Sequence, residues 1–365
     1  MTEEFIDIAY KTGAGRYIQE PGALSRLAKE VRRFGTKPFL IGGEHAFAAA
    51  RDVAVASLRK ARMEFVDHMY AGYASHAAAK QFAAEAREAG CDVVVGMGGG
   101  RIMDFAKAIA EYAGVPIIEA PTSIATCAAF SPLSILYTER GEFGGTWRYE
   151  HEINAVLVDT QVMACQPARL VAAGMMDSMA KLYEITNGSP TFDATSENVQ
   201  RFCAYEHARL NCKLLLEYGP KAYADVQQRR LTDAVERVTF VNLALTGIVS
   251  SLTRGFHQTA LAHKFYDGMR TYFTKEAAPY LHGELVAIGL LIQVVYNNTP
   301  DEVSRLTRIM RAMDMPCTLA DLGIRADDPR LAVLHEYVGT PEFVQQDEAS
   351  TDLFDRAFAG VVEPI

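Results

Sequence analysis

The sequence predicts an α/β domain built on a parallel sheet, followed by an all-α domain. Three observations lead there. The first 160 residues alternate short apolar runs with helical stretches, the pattern of right-handed strand–helix–strand units. One of those runs passes through a glycine cluster straight into an amphipathic helix. Beyond Pro167 the periodicity is helical almost throughout, and β-branched runs become rare. The domains are placed at 1–163 and 164–365.

Taken in order, PFLIGG (38–43) is a short apolar run closed by glycines, and MEFVDHMYAG (63–72) is a second candidate strand. A helix is expected over 77–89. CDVVVGMGGG (91–100) is a continuous apolar run, as strands covered on both faces require, and a helix should open near Arg101. VPIIEAPT (115–122) and NAVLVDT (154–160) complete the buried strands. In the second half, helices are expected over 193–218, 222–251, 256–270, 282–296 and 301–314. The longest apolar stretch, 285–296, is too short to span a bilayer and contains Gln293, so it reads as a buried helix.

Bulk composition narrows the function. A formal charge of −9 over 365 residues argues against nucleic acid or an anionic membrane as the main partner, and leaves a small-molecule substrate. The six cysteines lack CxxC spacing and read as reduced thiols. The acidic start MTEEFIDIAYKTG has no signal-peptide pattern, so a cytoplasmic protein is expected.

VVVGMGGGRIMDFAKAIA (93–110) has the strand–glycine–helix order that holds a phosphate. Glycine permits positive φ and close backbone approach, and the helix N-terminus adds unpaired donors. Asp104, one turn in, is placed to cap backbone donors or meet a ribose hydroxyl. Thr122, Ser131 and Tyr137 follow the next strand, where ligands bind in open α/β sheets.

Three residues of the helical half stand out. Asp177 is a lone carboxylate in LVAAGMMDSMAKLYE, His263 lies in TALAHKFYDG, and His282 opens HGELVAIGLL. Singly, each suits a cap or a hydrogen-bonded core residue. Together they offer one carboxylate and two imidazoles, a donor set for Zn²⁺ or Fe²⁺. Nothing in their spacing requires them to converge.

The succession RYIQEPGAL (16–24), GMGGGRIMDFAKAIA, PTSIATCAAFSPLSILYTERGEF, VLVDT, AAGMMDSMAKLYE, ALAH and HGELVAIG resembles the glycerol dehydrogenase branch of the iron-containing alcohol dehydrogenases. TCAAFSPLS is closest to the hydroxycarboxylate dehydrogenases. The resemblance implies a dinucleotide-binding α/β domain, a helical domain, and NAD(P) with one divalent metal (Zn or Fe) in the cleft between them. It implies Asp177, His263 and His282 as catalytic metal ligands. Gly43, Gly98, Gly99, Gly100, Asp104, Thr122, Ser131, Leu133 and Tyr137 become the nucleotide contacts. A homo-oligomer is expected by the same analogy.

Three departures bear on chemistry. Cys127 stands where the glycerol dehydrogenases carry a polyol-binding aspartate, which makes room for an anionic substrate. Tyr266 replaces a histidine three residues after the first metal histidine, leaving Tyr266, His257 and Lys181 as proton-relay candidates. Gly42-Gly43 lacks the aspartate that favours NAD, so NADP(H) is open, although Glu44 keeps NAD(H) in play. The expected activity is hydride transfer between nicotinamide and a small hydroxy acid or 2-oxo acid. Arg148, Arg254 and Lys264 are candidate partners for the acid group, and Lys181 could face the same cleft. The alternatives are a glycerol, polyol or alcohol dehydrogenase, a non-catalytic nucleotide-binding protein, and a dehydroquinate synthase-like lyase. Against the last, Asp177 stands where those synthases present glutamate.

Overall fold

Val93–Gly98 (β4) is buried along its whole length, as its unbroken apolar run demands. Each valine so buried contributes about 1.5–3 kcal/mol of transfer free energy. In the computed structural model, which describes residues 10–192, 198–254 and 258–362, this strand lies near the middle of a six-stranded parallel sheet. Its neighbours are Pro38–Gly42 (β2) and Ile117–Pro121 (β5). Beyond β2 lies Val66–Met69 (β3), and beyond β5 come Ala155–Asp159 (β8) and Tyr17–Glu20 (β1), giving the order β1-β8-β5-β4-β2-β3. All five strands expected from the sequence are present. The edge strand β1 (YIQE) escaped notice because it is half-buried throughout and lacks an apolar run.

A separate antiparallel hairpin, Leu133–Tyr137 (β6) and Phe143–Arg148 (β7), follows β5; the composition of 121–138 allows a hairpin edge but carries no apolar run that requires one. The helices around the sheet include His76–Glu88 (α1) and Gly100–Ala113 (α2), each within a residue of expectation.

No described residue after Asp159 lies in a strand. Asp159 ends β8 and accepts hydrogen bonds from the amides of Gly22, Leu24 and Gln161, so one side chain ties the 22–24 segment to the turn that leaves β8. The helical half contains Ala168–Ile185 (α3), Val199–Gln227 (α4), Leu261–Tyr272 (α5) and His282–Tyr296 (α6).

Helix boundaries differ from expectation at the end of α4, at the start of the helix after it, and at α5, which opens at Leu261 rather than at 256. The helix α4 runs through Pro220 rather than stopping before 222. The break comes after Gln227, where Asp225 accepts from Lys221, Arg230 and Thr232. The expected helix over 222–251 therefore begins only at Asp233. It widens into a π turn at Val241–Leu245, which aims Asn242 Nδ2 at the carbonyl of Ile124, 3.2 Å away. The run Asp233–Leu252 is the one described helix long and apolar enough to cross a bilayer by length and composition. Two-thirds of that window is packed inside the protein.

Candidate active site

The helix α3 carries Asp177 in its middle rather than at a cap, with the residue only 5% exposed. Two close approaches hold it in place. A Cβ on Gly174 would sit 1.9 Å from the Ile124 carbonyl, so glycine lets α3 touch the segment after β5. A Cβ on Gly283 would sit 1.9 Å from the Ala173 carbonyl, so the start of α6 reaches the same helix.

His263 and His282 arrive from α5 and α6. Asp177 Oδ1 lies 3.3 Å from His263 Nε2 and 3.4 Å from His282 Nε2. One donor atom from each of the three residues falls within a 4.8 Å cluster. A carboxylate and two imidazoles at that spacing fit a divalent cation of the zinc or ferrous type.

The support for this cluster comes from residues that were not singled out in the sequence. Glu184, two helical turns after Asp177, accepts the Nδ1 proton of His263 at 2.6 Å. Its Oε1 also accepts the amides of Ala260 and His263, capping α5 in place of a local side chain. Gln293 Oε1 accepts the amide of Leu261 from the opposite side. The polar flaw in the apolar stretch is thus a helix cap for its neighbour. At α6, Glu284 accepts the amide of Leu281, and Arg169 holds that carboxylate at 2.6 Å. The i,i+7 spacing of Asp177 and Glu184 was the available signal for Glu184.

Electrostatics follow from burial and these pairs. Burial opposes the charge of His263, but Glu184 and Asp177 outweigh it and push its pKa up to about 9. For Asp177 burial raises the pKa, yet Lys181 and the two histidines hold it well below the carboxylate range. Burial pushes the Cys127 thiol up, so it is neutral near pH 7. Tyr266 packs its ring edge-on against His282, centroids 4.3 Å apart. Burial raises its hydroxyl pKa, against the positive charge of Arg270, whose guanidinium lies 5.4 Å from the ring centroid. His257 lies outside the described residues.

The predicted nucleotide positions divide into two groups. Gly43, Gly98, Gly99, Gly100 and Thr122 gather at the C-terminal ends of β2, β4 and β5. A Cβ on Gly99 would lie 3.2 Å from Ser123 Oγ, and one on Gly100 2.7 Å from Thr126 Oγ1. None of the loop glycines has a positive φ, so they serve close approach and not turn geometry, contrary to one of the two reasons expected. The Gly99 carbonyl accepts the amides of Ile102 and Met103, which leaves those of Gly100 and Arg101 without an intrahelical acceptor at the start of α2. Leu133 and Tyr137 are half-buried on β6.

Asp104 and Ser131 behave differently. Asp104 is buried, pairs with Lys107 at 3.0 Å and accepts the Ile135 amide, which leaves it poorly placed for a ribose hydroxyl. Ser131 is 2% exposed, and its hydroxyl is turned to the Cys127 carbonyl and sulfur. Lys107 also donates to the carbonyls of Ala128, Ser131 and Leu133, anchoring the whole segment that carries Cys127.

The three cations proposed for a substrate acid group are engaged elsewhere. Arg148 Nε donates to the Arg254 carbonyl, Arg254 stacks over Tyr10, and Lys264 lies 4.1 Å over the Tyr337 ring.

Comparison with known proteins agrees with this architecture. The model of the iron-containing alcohol dehydrogenase family matches residues 14–160. A glycerol dehydrogenase of Escherichia coli O6:H1 is 33% identical over 321 residues, covering 86% of this chain and 85% of the relative. Hydroxycarboxylate dehydrogenase A of Escherichia coli K12 is 29% identical over 317 residues, covering 86% and 84%. The crystal structure of glycerol dehydrogenase from Schizosaccharomyces pombe matches with a TM-score of 0.81 at 25% identity, covering 98% of this chain and 90% of that one.

Proposed function

Since the chain belongs to the iron-containing alcohol dehydrogenase family, in its glycerol dehydrogenase-like branch, we propose that this oxidoreductase moves a hydride reversibly between a nicotinamide cofactor and a small 2-hydroxy acid. The observation that carries the substrate class is Cys127, a buried neutral thiol in the segment beside Asp177. A thiol offers no charge to grip a diol, and without a carboxylate there an anionic substrate is not repelled.

When bound, the nicotinamide supplies or takes the hydride, and a divalent cation supplies Lewis acidity at the substrate oxygen. Asp177, His263 and His282 would hold that cation. Glu184 accepts the Nδ1 proton of His263, so Nε2, whose proton is given to Asp177, is the nitrogen that would be released to hold the cation. Tyr266 Oη, near the positive charge of Arg270, is the atom that would hold or release the proton of the carbinol. The glycine cradle and the first turn of α2 would receive the pyrophosphate.

A second reading, a glycerol dehydrogenase, is favoured by the 33% identity to the Escherichia coli O6:H1 enzyme of that name against 29% to hydroxycarboxylate dehydrogenase A. Oxidation of NADH and NADPH is to be followed with 2-oxobutanoate, 2-oxoglutarate and dihydroxyacetone. Higher kcat/KM for a 2-oxo acid is expected. A clear preference for dihydroxyacetone would overturn the hydroxy-acid reading and favour the second.

A further inference from the structure

Lys181 lies one turn after Asp177 on α3 and is 5% exposed. Among the described residues its ammonium has neither a hydrogen-bond acceptor nor an ion-pair partner. The groups coupled to it electrostatically are Asp177, Cys127 and Glu184, so it borders the metal-ligand cluster and the Cys127 segment. Burial works against its charge, but the surrounding acids more than offset this and keep it protonated.

Those acids offset burial from beyond contact distance, so among the described residues the buried ammonium keeps its hydrogen-bond donors open to a ligand. The nearby acids are already committed. Asp177 Oδ1 faces both imidazoles, and Glu184 is spent on His263 and the amides of α5. A carboxylate at position 127 would supply the missing anion, whereas the thiol there does not. Every other cation weighed for this role already has a partner. Arg148, Arg254 and Lys264 are engaged as described, Lys107 is ringed by carbonyls, and Arg270 donates to the carbonyls of Ala277 and Tyr280.

We propose that Lys181 is the specificity-determining cation of this site and binds the carboxylate of a substrate whose reacting oxygen sits at Asp177, His263 and His282. The inference rests on the hydroxy-acid reading and sharpens it. The loss of a carboxylate at 127 and the free ammonium at 181 become one device: the substrate brings the anion that the protein omits. A small neutral polyol would leave the ammonium unpaired.

The test uses metal-loaded, full-length protein: wild type, K181M, K181R and C127D. Two quantities are measured. One is the ratio of kcat/KM for 2-oxobutanoate to that for dihydroxyacetone. The other is calorimetric binding of oxamate, an unreactive molecule with a carboxylate beside a carbonyl. In K181M the ratio should fall about 100-fold, chiefly through KM, and oxamate affinity should fall about as far. K181R should recover part of both. C127D should lower the ratio too, because the new carboxylate pairs with the lysine.

A K181M ratio within about threefold of wild type, with unchanged oxamate binding and equal metal content, overturns the proposal. Should K181M fail to fold, an unchanged ratio in C127D overturns it instead. Failure of the underlying reading looks different, because wild type itself would then prefer dihydroxyacetone. In that case oxamate decides: binding that depends on Lys181 upholds the anion site, and no binding to wild type refutes it.

Discussion

Glu184 Oε2 sits 2.6 Å from His263 Nδ1, while the other ring nitrogen faces Asp177 at 3.3 Å. A carboxylate can only accept, so Glu184 holds the Nδ1 proton and leaves Nε2 as the nitrogen that gives up its proton for a cation. Glu184→Gln keeps an oxygen for the α5 amides and removes the charge. Metal affinity, read by chelator competition, should drop about 10–100-fold with the thermal midpoint little changed. Equal affinity in the variant would show that Glu184 only caps the helix.

Lys107 should matter for cofactor binding although none of its hydrogen bonds goes to a metal-ligand candidate. It gathers three carbonyls of the Cys127 segment and pairs with Asp104, so Lys107→Met leaves a buried carboxylate alone. A loss of about 3–5 kcal/mol in stability is expected by urea unfolding, with weaker NAD(P)H binding by nicotinamide fluorescence. Undiminished stability would contradict the anchoring role.

The pH dependence of stability should carry a signature from Glu119. This residue of β5 is fully buried, and neither carboxylate oxygen has a hydrogen-bond partner. Burial raises its pKa well above the ordinary value, and Asp104 adds to that against the opposing charge of Lys107. A raised folded pKa means the acid's contribution is complete below the unfolded value and fades as pH climbs toward the folded one. Glu119→Gln should therefore gain stability relative to wild type as pH rises above the ordinary glutamate range. Parallel stability curves above that range count against a protonated Glu119.

Cofactor choice is testable at the end of β2. A Cβ on Gly43 meets nothing closer than 3.7 Å, so a side chain fits there without repacking. Gly43→Asp should lower the kcat/KM ratio of NADPH to NADH about tenfold or more, by repelling a 2′-phosphate. An unaltered ratio would place the adenosine ribose elsewhere.

The core strands were legible because a parallel sheet covered on both faces needs unbroken apolar runs, and PFLIG, VVVGMG and AVLVD supply them. Edge strand β1 and the β6–β7 hairpin were not, since their half-exposed residues carry no such run. Asp177, His263 and His282 stood out as polar residues in apolar helices. Glu184 and Gln293 looked like ordinary helix polar residues, because their acceptors serve donors that lie 76–79 and 32 positions away.

By itself the sequence determined the order of the buried strands, the phosphate-binding style of the glycine loop and the identity of the three metal-ligand candidates. Those features are written in local periodicity and residue chemistry. Only the tertiary structure decided which charges are spent and which are left over. Asp104 and Ser131 turned inward, three surface cations found partners, and Lys181 remained unpaired beside Cys127. Pairing of that kind depends on contacts between segments distant in the chain, and no local pattern encodes them.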